Sequence, residues 1–310
     1  MVNRRELLAS SLSAAAISTP IPASGAAAAP VLPTGRPIAI RTGDGLTLSA
    51  MSYGAASAFP IIFVHGLSQS RLSWDRQIVV DLAHYRLITF DLRGHGHSDK
   101  PVEPEAYADG DYWADDLAAV IEQTGSKRVL LVGWSFGGLV IGHYLRRYGA
   151  GAIAGVNLVD AVTSFDPQFR TRASDHWGAL LASADLAVRS AAIARFLSLC
   201  FAKPPQRDDL DRMLAYNAMA PRAVHQGLRK IEARGLDDGF ARVTRILLTH
   251  GSRDALVLPG MSQRMLTVNR GSSLSVYPQA GHSPFYEDAA RFNGELAAFA
   301  TLTAGRKATL

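Results

Sequence analysis

The first feature with chemical content is a serine between two glycines at the end of an apolar run. Val129–Gly138 reads VLLVGWSFGG, placing Ser135 in Gly133-Trp134-Ser135-Phe136-Gly137. The run before it has the length of a strand, and Phe136–Tyr148 after it has helical spacing, so Ser135 stands on a sharp strand-to-helix turn. Such a turn needs small residues two before and two after the serine, which Gly133 and Gly137 supply. The helix that follows aims its N-terminal N–H groups and positive dipole end at the space beside the hydroxyl. An ordinary helix N-cap is the plainer role for Ser135; a nucleophile is the chemical one.

A serine hydroxyl is a weak nucleophile until an imidazole takes its proton, and the imidazole works best when a carboxylate orients it. Two later segments offer these groups. Ile246–Asp254 (ILLTHGSRD) delivers Asp254 just after an apolar strand, and Ser272–His282 (SSLSVYPQAGH) delivers His282 after the last one. Asp160, at the end of VNLVD, is the rival carboxylate; its other role is to cap the start of the next segment. Charge developing on an attacked carbonyl oxygen needs two fixed donors. IIFVHGLSQS sets Leu67 on a glycine-containing loop, so the backbone N–H groups of Leu67 and Phe136 are the expected pair. His65 reads as a residue that holds this loop rather than as a base. Asp91–Ser98 (DLRGHGHS) reads as a rigid loop beneath the site, and His95 and His97 have no third ligand at a useful spacing for a metal. Trp134 and Trp74 are expected substrate-pocket walls, with core packing as the alternative for each.

These residues need a scaffold that brings strand ends together. Pro37–Arg41 and Leu46–Tyr53 flank Thr42-Gly43-Asp44-Gly45, a strand–turn–strand signature. Short apolar runs without alternation follow: Ile61–Val64, Arg86–Phe90, Arg128–Val132, Ile153–Val159 and Ile246–Thr249, with Leu274–Tyr277 closing the series. Strands of that kind are covered on both faces, as in a parallel sheet between helices. Helical spacing appears in Asp75–His84, Asp111–Glu122, Phe136–Tyr148 and Glu287–Ala300. The alternation predicts a doubly wound α/β core. It stops from 163 to 239, where helical patterns such as Leu180–Leu199 and Asp208–Met219 lie between two core strands. We read 163–239 as an inserted helical cap on a core formed by 31–162 and 240–310. Trp177, Phe196, Phe201 and Met213 are among its apolar residues, divided between its own core and a cap–core pocket.

The 310 residues are 48% apolar and 19% charged, a globular composition rather than a disordered one. The formal charge of +5 is scattered, which gives no basic face for nucleic acid. The single cysteine, Cys200, excludes an internal disulfide and a cysteine-based zinc site. Residues 1–30 differ from the rest. Arg4 and Arg5 precede a mild apolar run from Leu7 to Ile17, too short to span a membrane, and then small residues offer Ala26-x-Ala28 for cleavage. This order resembles a twin-arginine export signal, with Asn3, Leu7 and Ala9 departing from its usual residues. It predicts an exported protein, periplasmic or secreted; general export and an Ala-rich disordered leader are the alternatives.

With HG after one strand, DLRGHGHS after the next, then GWSFGG, GSRD and AGHS in that order, the chain resembles the α/β-hydrolase superfamily from about Pro37 to Thr303. The resemblance implies an eight-stranded, mostly parallel sheet with an antiparallel second strand and a cap after the sixth. It implies no cofactor and no metal, and a small-molecule acyl substrate. It also makes Ser135 the nucleophile, His282 the acid/base and Asp254 its partner. Relatives that open epoxides or remove halogens use Asp at the nucleophile position; Ser135 argues against both activities. Three functions fit in different degree: an ester or lactone hydrolase, a cofactor-free perhydrolase that acts as a haloperoxidase, and a non-catalytic receptor on the same fold. Neither acyl length nor oligomeric state is legible at this level.

Overall fold

The computed structural model describes residues 34–78 and 82–305; the leader at 1–30 lies outside them. Among the described residues, eight strands form one sheet in the order β1-β2-β4-β3-β5-β6-β7-β8. The strands are β1 Arg36–Arg41, β2 Thr47–Tyr53, β3 Pro60–Val64, β4 Arg86–Phe90, β5 Val129–Trp134, β6 Ile153–Val159, β7 Ile246–Gly251 and β8 Ser272–Tyr277. β2 runs antiparallel to both its neighbours, and every pairing from β4 through β8 is parallel.

The non-alternating apolar runs work as a buried parallel sheet demands. Ile61, Phe63, Leu130, Val132 and Trp134 enter one apolar layer, while Ile62, Val64, Leu131 and Val156 enter the other. Successive side chains point to opposite faces, so a strand buried on both needs apolar residues throughout. β8 departs from this expectation. It pairs on one side only, and Val276 is 45% exposed.

The helices are α1 Gly110–Gln123, α2 Phe136–Tyr148, α3 Arg172–Leu180, α4 Leu186–Ser198, α5 Arg207–Ala218, α6 Arg222–Leu228, α7 Leu236–Ala241, α8 Gly260–Val268, α9 Pro284–Glu287 and α10 Ala289–Thr303. α3 to α7 all lie in the chain between β6 and β7. Three expected helices have different limits. Of the first, expected at Asp75–His84, residues 79–81 lie outside the described residues, and before them stands a short 3-10 helix, Arg71–Gln77, started by Ser70 accepting the Leu72 N–H. The pattern Leu180–Leu199 is interrupted because the Asp185 carboxylate accepts the N–H groups of Ala187 (2.7 Å) and Val188 (3.1 Å), starting α4 afresh. The final helix is divided at Asp288, whose backbone (φ −136°, ψ 59°) is not helical. No helix among the described residues is long and apolar enough to cross a membrane.

The turn after β5 is tightly packed. A Cβ on Gly137 would lie 2.4 Å from the Val64 carbonyl oxygen, and one on Gly133 would lie 2.5 Å from the Ile141 side chain. Gly294, in α10, has nothing within 4 Å of its Cβ direction. We therefore expect Gly137→Ala to lower unfolding free energy by about 1–3 kcal/mol, by overpacking against backbone. Gly294→Ala should raise it by up to about 1 kcal/mol. Urea denaturation of the two variants checks both signs.

Candidate active site

Ser135 occupies the N-cap position of α2, yet its side chain makes no capping hydrogen bond. Its backbone stands at φ 53°, ψ −116°, in the region that non-glycine residues avoid. The conformation is held on three sides. The Ser135 N–H donates to Val159 O (3.0 Å), and its carbonyl accepts from Gly138 (3.0 Å) and Val162 (2.9 Å). From Val129 to Leu145 every residue is buried except Ser135, so the turn lifts one hydroxyl clear of a closed core.

His282 and Asp254 meet. The Asp254 Oδ2 lies 2.7 Å from His282 Nδ1, and its Oδ1 accepts the N–H groups of Leu256 (2.7 Å) and Val257 (3.0 Å). An ionised oxygen at Nδ1 fixes the imidazole with Nδ1–H toward Asp254 and leaves Nε2 as the basic nitrogen. Trp134 joins this pair to the turn at Ser135: its Nε1–H donates to the His282 carbonyl at 2.6 Å. The His282 turn is held from its other side by Glu287, whose carboxylate accepts the N–H groups of Gly281 (2.7 Å) and Ala202 (2.8 Å). Gly251 and Gly281 are needed here by contact alone, since a Cβ on Gly251 would fall 1.8 Å from Gly281 O.

Asp160 lies beside this pair rather than in it. Its Oδ1 accepts the Gly251 N–H at 2.8 Å, Oδ2 has no partner among the described residues, and its φ is 43°. Burial, and then the adjacent charge of Asp254, hold the Asp160 carboxyl well above the usual carboxylate range. Burial acts on Asp254 in the same sense, but the His282 and His250 imidazoles and the Leu256 N–H outweigh it and keep Asp254 below that range. The site therefore carries its negative charge on Asp254 and its proton on Asp160. Asp160, His250 and Asp254 lie close enough to suggest a metal cluster, with ligand atoms within 4.8 Å of one another. The donor chemistry is that of a proton network instead: His250 Nε2 lies 3.1 Å from Val257 O, which can only accept, and Nδ1 lies 2.7 Å from the Ser262 hydroxyl.

The loop after β3 faces Ser135 closely. A Cβ on Gly66 would lie 3.2 Å from the Ser135 Cβ. The N–H groups of Leu67 and Phe136 have no acceptor among the described residues, and both residues line the same cavity as Ser135. His65 and His95 fasten this loop. His65 Nε2 accepts the Leu92 N–H (3.0 Å) and His95 Nε2 accepts the Ser68 N–H (3.1 Å), so in each ring Nδ1 carries the hydrogen. Burial depresses both pKa values, to about 4 for His65 and about 3 for His95, so both rings stay neutral as these bonds require. In the following loop the Asp91 carboxylate accepts the N–H groups of Arg71 (2.7 Å) and His97 (3.0 Å), and Arg93 makes two 2.7 Å bonds to buried Asp116.

The cavity has a volume of about 520 Å³ and lies against Ser135. Its apolar wall includes Phe136, Val162, Phe165, Phe196, Ile231 and Leu256. Arg170 also lines it, neutralised by its ion pair with Asp175. Trp134 and Trp74, expected as pocket walls, are elsewhere. Trp134 is 2% exposed and Trp74 0%, and neither borders the cavity. Strand geometry gives the reason: Trp134, the last residue of β5, enters the opposite layer from Phe136, where its ring meets Phe285 (4.8 Å) and Phe285 meets Trp74 (4.5 Å). Phe196, one of the cap residues offered for a cap–core pocket, does line the cavity, whereas Phe165 and His225 were not expected there. They come from the segment between β6 and β7, where no local pattern marks a cavity-facing side.

Residues 61–295 match the Alpha/beta hydrolase family, and the chain belongs to that family. It is similar to a solved Burkholderia cenocepacia protein, named only provisionally as an aryl esterase, at 37% identity and TM-score 0.84, over 87% of this chain and all of that one. The esterase RhEst1 from Rhodococcus sp. ECU1013 is 31% identical, with TM-score 0.79, over 86% of this chain and 98% of that one. A non-heme haloperoxidase of Rhodococcus erythropolis is 26% identical over 84% of this chain and 98% of its own length. A non-heme chloroperoxidase of Streptomyces lividans is 36% identical, but the match spans 40% of this chain and 44% of that protein.

The buried carboxyl pair has a measurable consequence. A carboxyl whose pKa is raised on folding stabilises the fold below its unfolded value, near 3.8, and loses that contribution as pH rises through the folded value. Asp160→Asn keeps the Gly251 acceptor and never ionises. Its melting-temperature advantage over wild type should widen as pH is raised from the unfolded carboxyl value toward neutrality. Calorimetry showing a constant difference across that range would rule out the raised pKa.

Proposed function

We propose that this protein is a serine hydrolase of carboxylic esters or lactones, with Ser135 as nucleophile, His282 as general acid/base and Asp254 as the orienting carboxylate. The observation that carries the reading is the strained turn at Ser135, which gives up a capping hydrogen bond and leaves the hydroxyl accessible above a buried core. Strain retained at one position beside a cavity is characteristic of functional sites. His282 takes the hydroxyl proton as Ser135 attacks the acyl carbon, and the developing oxyanion is received by the Leu67 and Phe136 N–H groups. The proton on His282 passes to the departing alcohol. Water, deprotonated by the same imidazole, then attacks the acyl-enzyme and releases the acid.

The wall of the cavity favours a neutral substrate with an apolar group. Phe136, Phe165 and Phe196 supply aromatic surface, the charge of Arg170 is cancelled by Asp175, and the second arginine of the lining, Arg229, is exposed to solvent. The names of the esterase relatives agree with this reaction class. The haloperoxidase relatives support a second reading, in which hydrogen peroxide replaces water on the acyl-enzyme. The peracid formed then oxidises bromide to hypobromite and returns as the carboxylic acid.

Two tests follow. Ser135→Ala should lower p-nitrophenyl acetate and butyrate turnover by about 10⁴-fold or more, and a fluorophosphonate should add to Ser135 with a stoichiometry of one. Full turnover in the variant would refute the assignment. Acetate-dependent bromination lost with Ser135→Ala would favour peroxide as acceptor. For the leader, the export reading expects a mature N-terminus just after Ala28 in material from an exporting host. N-terminal sequencing that finds residues 1–28 still attached to the exported protein would overturn it.

A further inference from the structure

We propose that His225, on α6, is a positioning residue for the oxyanion hole, acting through Ser68; the inference rests on the serine-hydrolase reading above. His225 is only 5% exposed and lines the cavity shared by Ser135, Leu67 and Phe136. Its Nε2 lies 3.4 Å from Ser68 Oγ. Nδ1 has no partner among the described residues, so Ser68 is the ring's hydrogen-bonding attachment there.

The loop it touches needs such a support. Gly66 is required for the close approach to Ser135, and a glycine contributes no stiffness of its own. Leu67 follows, and then Ser68 at φ 61°, a conformation that costs a non-glycine residue about 1–3 kcal/mol and persists when its surroundings impose it. Rotation of the backbone at Ser68 would swing the Leu67–Ser68 peptide unit and, through the Leu67 Cα, displace the neighbouring unit that carries the Leu67 N–H. Ser68 is held twice: its N–H donates to His95 Nε2 (3.1 Å) from the core, and its Oγ meets His225 from the cap. The Gln69 N–H also closes the turn onto Gly66 O at 3.2 Å.

The position of His225 is set by tight packing. A Cβ on Gly94 would lie 2.4 Å from the Val224 side chain, and one on Gly227 would lie 2.2 Å from Pro104 O, so α6 is wedged against core loops on both sides of His225. Burial, helped by His95 and Arg189, pushes the His225 pKa down to about 3. The contact with Ser68 is thus between two neutral groups at ordinary pH, and either can supply the hydrogen.

The test uses His225→Phe, His225→Gln, Ser68→Ala and the double variant Ser68→Ala/His225→Phe in the full chain. The Gln amide reaches the place of Nε2. Two readouts are taken: kcat and KM for p-nitrophenyl butyrate, and affinity for butylboronic acid, whose tetrahedral serine adduct places an oxygen between the Leu67 and Phe136 N–H groups. Complete loss of one such donor costs about 10²–10³ in rate, so a loosened donor should cost about tenfold in kcat, with KM within about twofold. Boronate affinity should fall by about the same factor. The double variant should be no worse than the poorer single, because both remove one contact, and His225→Gln should recover most of the loss. If His225→Phe does not fold, Ser68→Ala reads the same contact from the core side. Unchanged kcat and boronate affinity, losses that multiply in the double variant, or a change in KM alone would each overturn the proposal. Fluorophosphonate labelling of wild-type Ser135 separates the two levels: an unlabelled Ser135 overturns the serine-hydrolase reading and this inference with it, whereas a labelled one leaves the His225 result to decide.

Discussion

One backbone conformation constrains the rest of this molecule: Ser135 at φ 53°, ψ −116° between β5 and α2. An L-residue enters that region only under compulsion, and the compulsion is visible. The Ser135 N–H and C=O are tied to Val159, Gly138 and Val162, while Gly133 and Gly137 leave no room for the turn to relax. The other non-glycine residues with positive φ among the described residues are Ser68 and Asp160. One follows β3 by four residues and the other follows β6 directly, so all three lie past strands that adjoin at the centre of the sheet. Strain of about 1–3 kcal/mol at each position is sustainable only where a rigid, fully buried sheet fixes the chain on both sides. The apolar layers on the two faces of β3, β5 and β6 supply that rigidity.

Electrostatics impose a second constraint on the same place. Two carboxyls buried side by side cannot both ionise without a large penalty. Here the asymmetry of their partners decides which one does. Asp254 has the His282 imidazole and two backbone N–H groups; Asp160 has a single N–H and an unpartnered oxygen. The charge consequently settles where it can orient His282. Elsewhere in the site burial keeps the His65 and His95 rings neutral, and each accepts a backbone N–H. A protonated ring at either position would have no lone pair to offer and would release the loop it holds.

Much of this was legible in the sequence because it is local. β4, β6 and α2 begin and end at the residues their apolar runs or spacing indicated, and the sharp turn at Ser135 declares itself through Gly133 and Gly137. The order of GSRD and AGHS after GWSFGG was enough to pair Asp254 with His282, because parallel strands deliver their following loops to one edge. What stayed hidden depends on contacts distant in sequence. The side on which Trp134 falls is a question of sheet face, settled by the register of β5 with its neighbours and not by the residue's proximity to Ser135. The proton on Asp160 depends on its burial and then on Asp254 being next to it, 94 positions away in the chain. The break before α4 was legible in principle, since Asp185 is a good N-cap, but the apolar spacing ran across it.

The segment between β6 and β7 combines two kinds of attachment, and these divide its work. On the side of α5, Met213 and Tyr216 join the apolar layer containing Trp134 and Phe285, while Arg212–Asp75 and Arg76–Asp209 pairs lie at the surface, where such pairs add little. On the side of α6, Val224 and His225 are as buried as core residues and press on the loops around Gly94 and Ser68. Both helices are thus held against the rest of the fold, and α6 belongs mechanically to the core. The half-exposed wall formed by Phe165, Phe196 and the α3 residues is less constrained. Changes of residue there alter the shape of the cavity without disturbing the turn at Ser135, the Asp254–His282 pair or the loop of Leu67. A fold arranged in this way can vary the shape of one wall of its cavity while the geometry around Ser135 stays fixed.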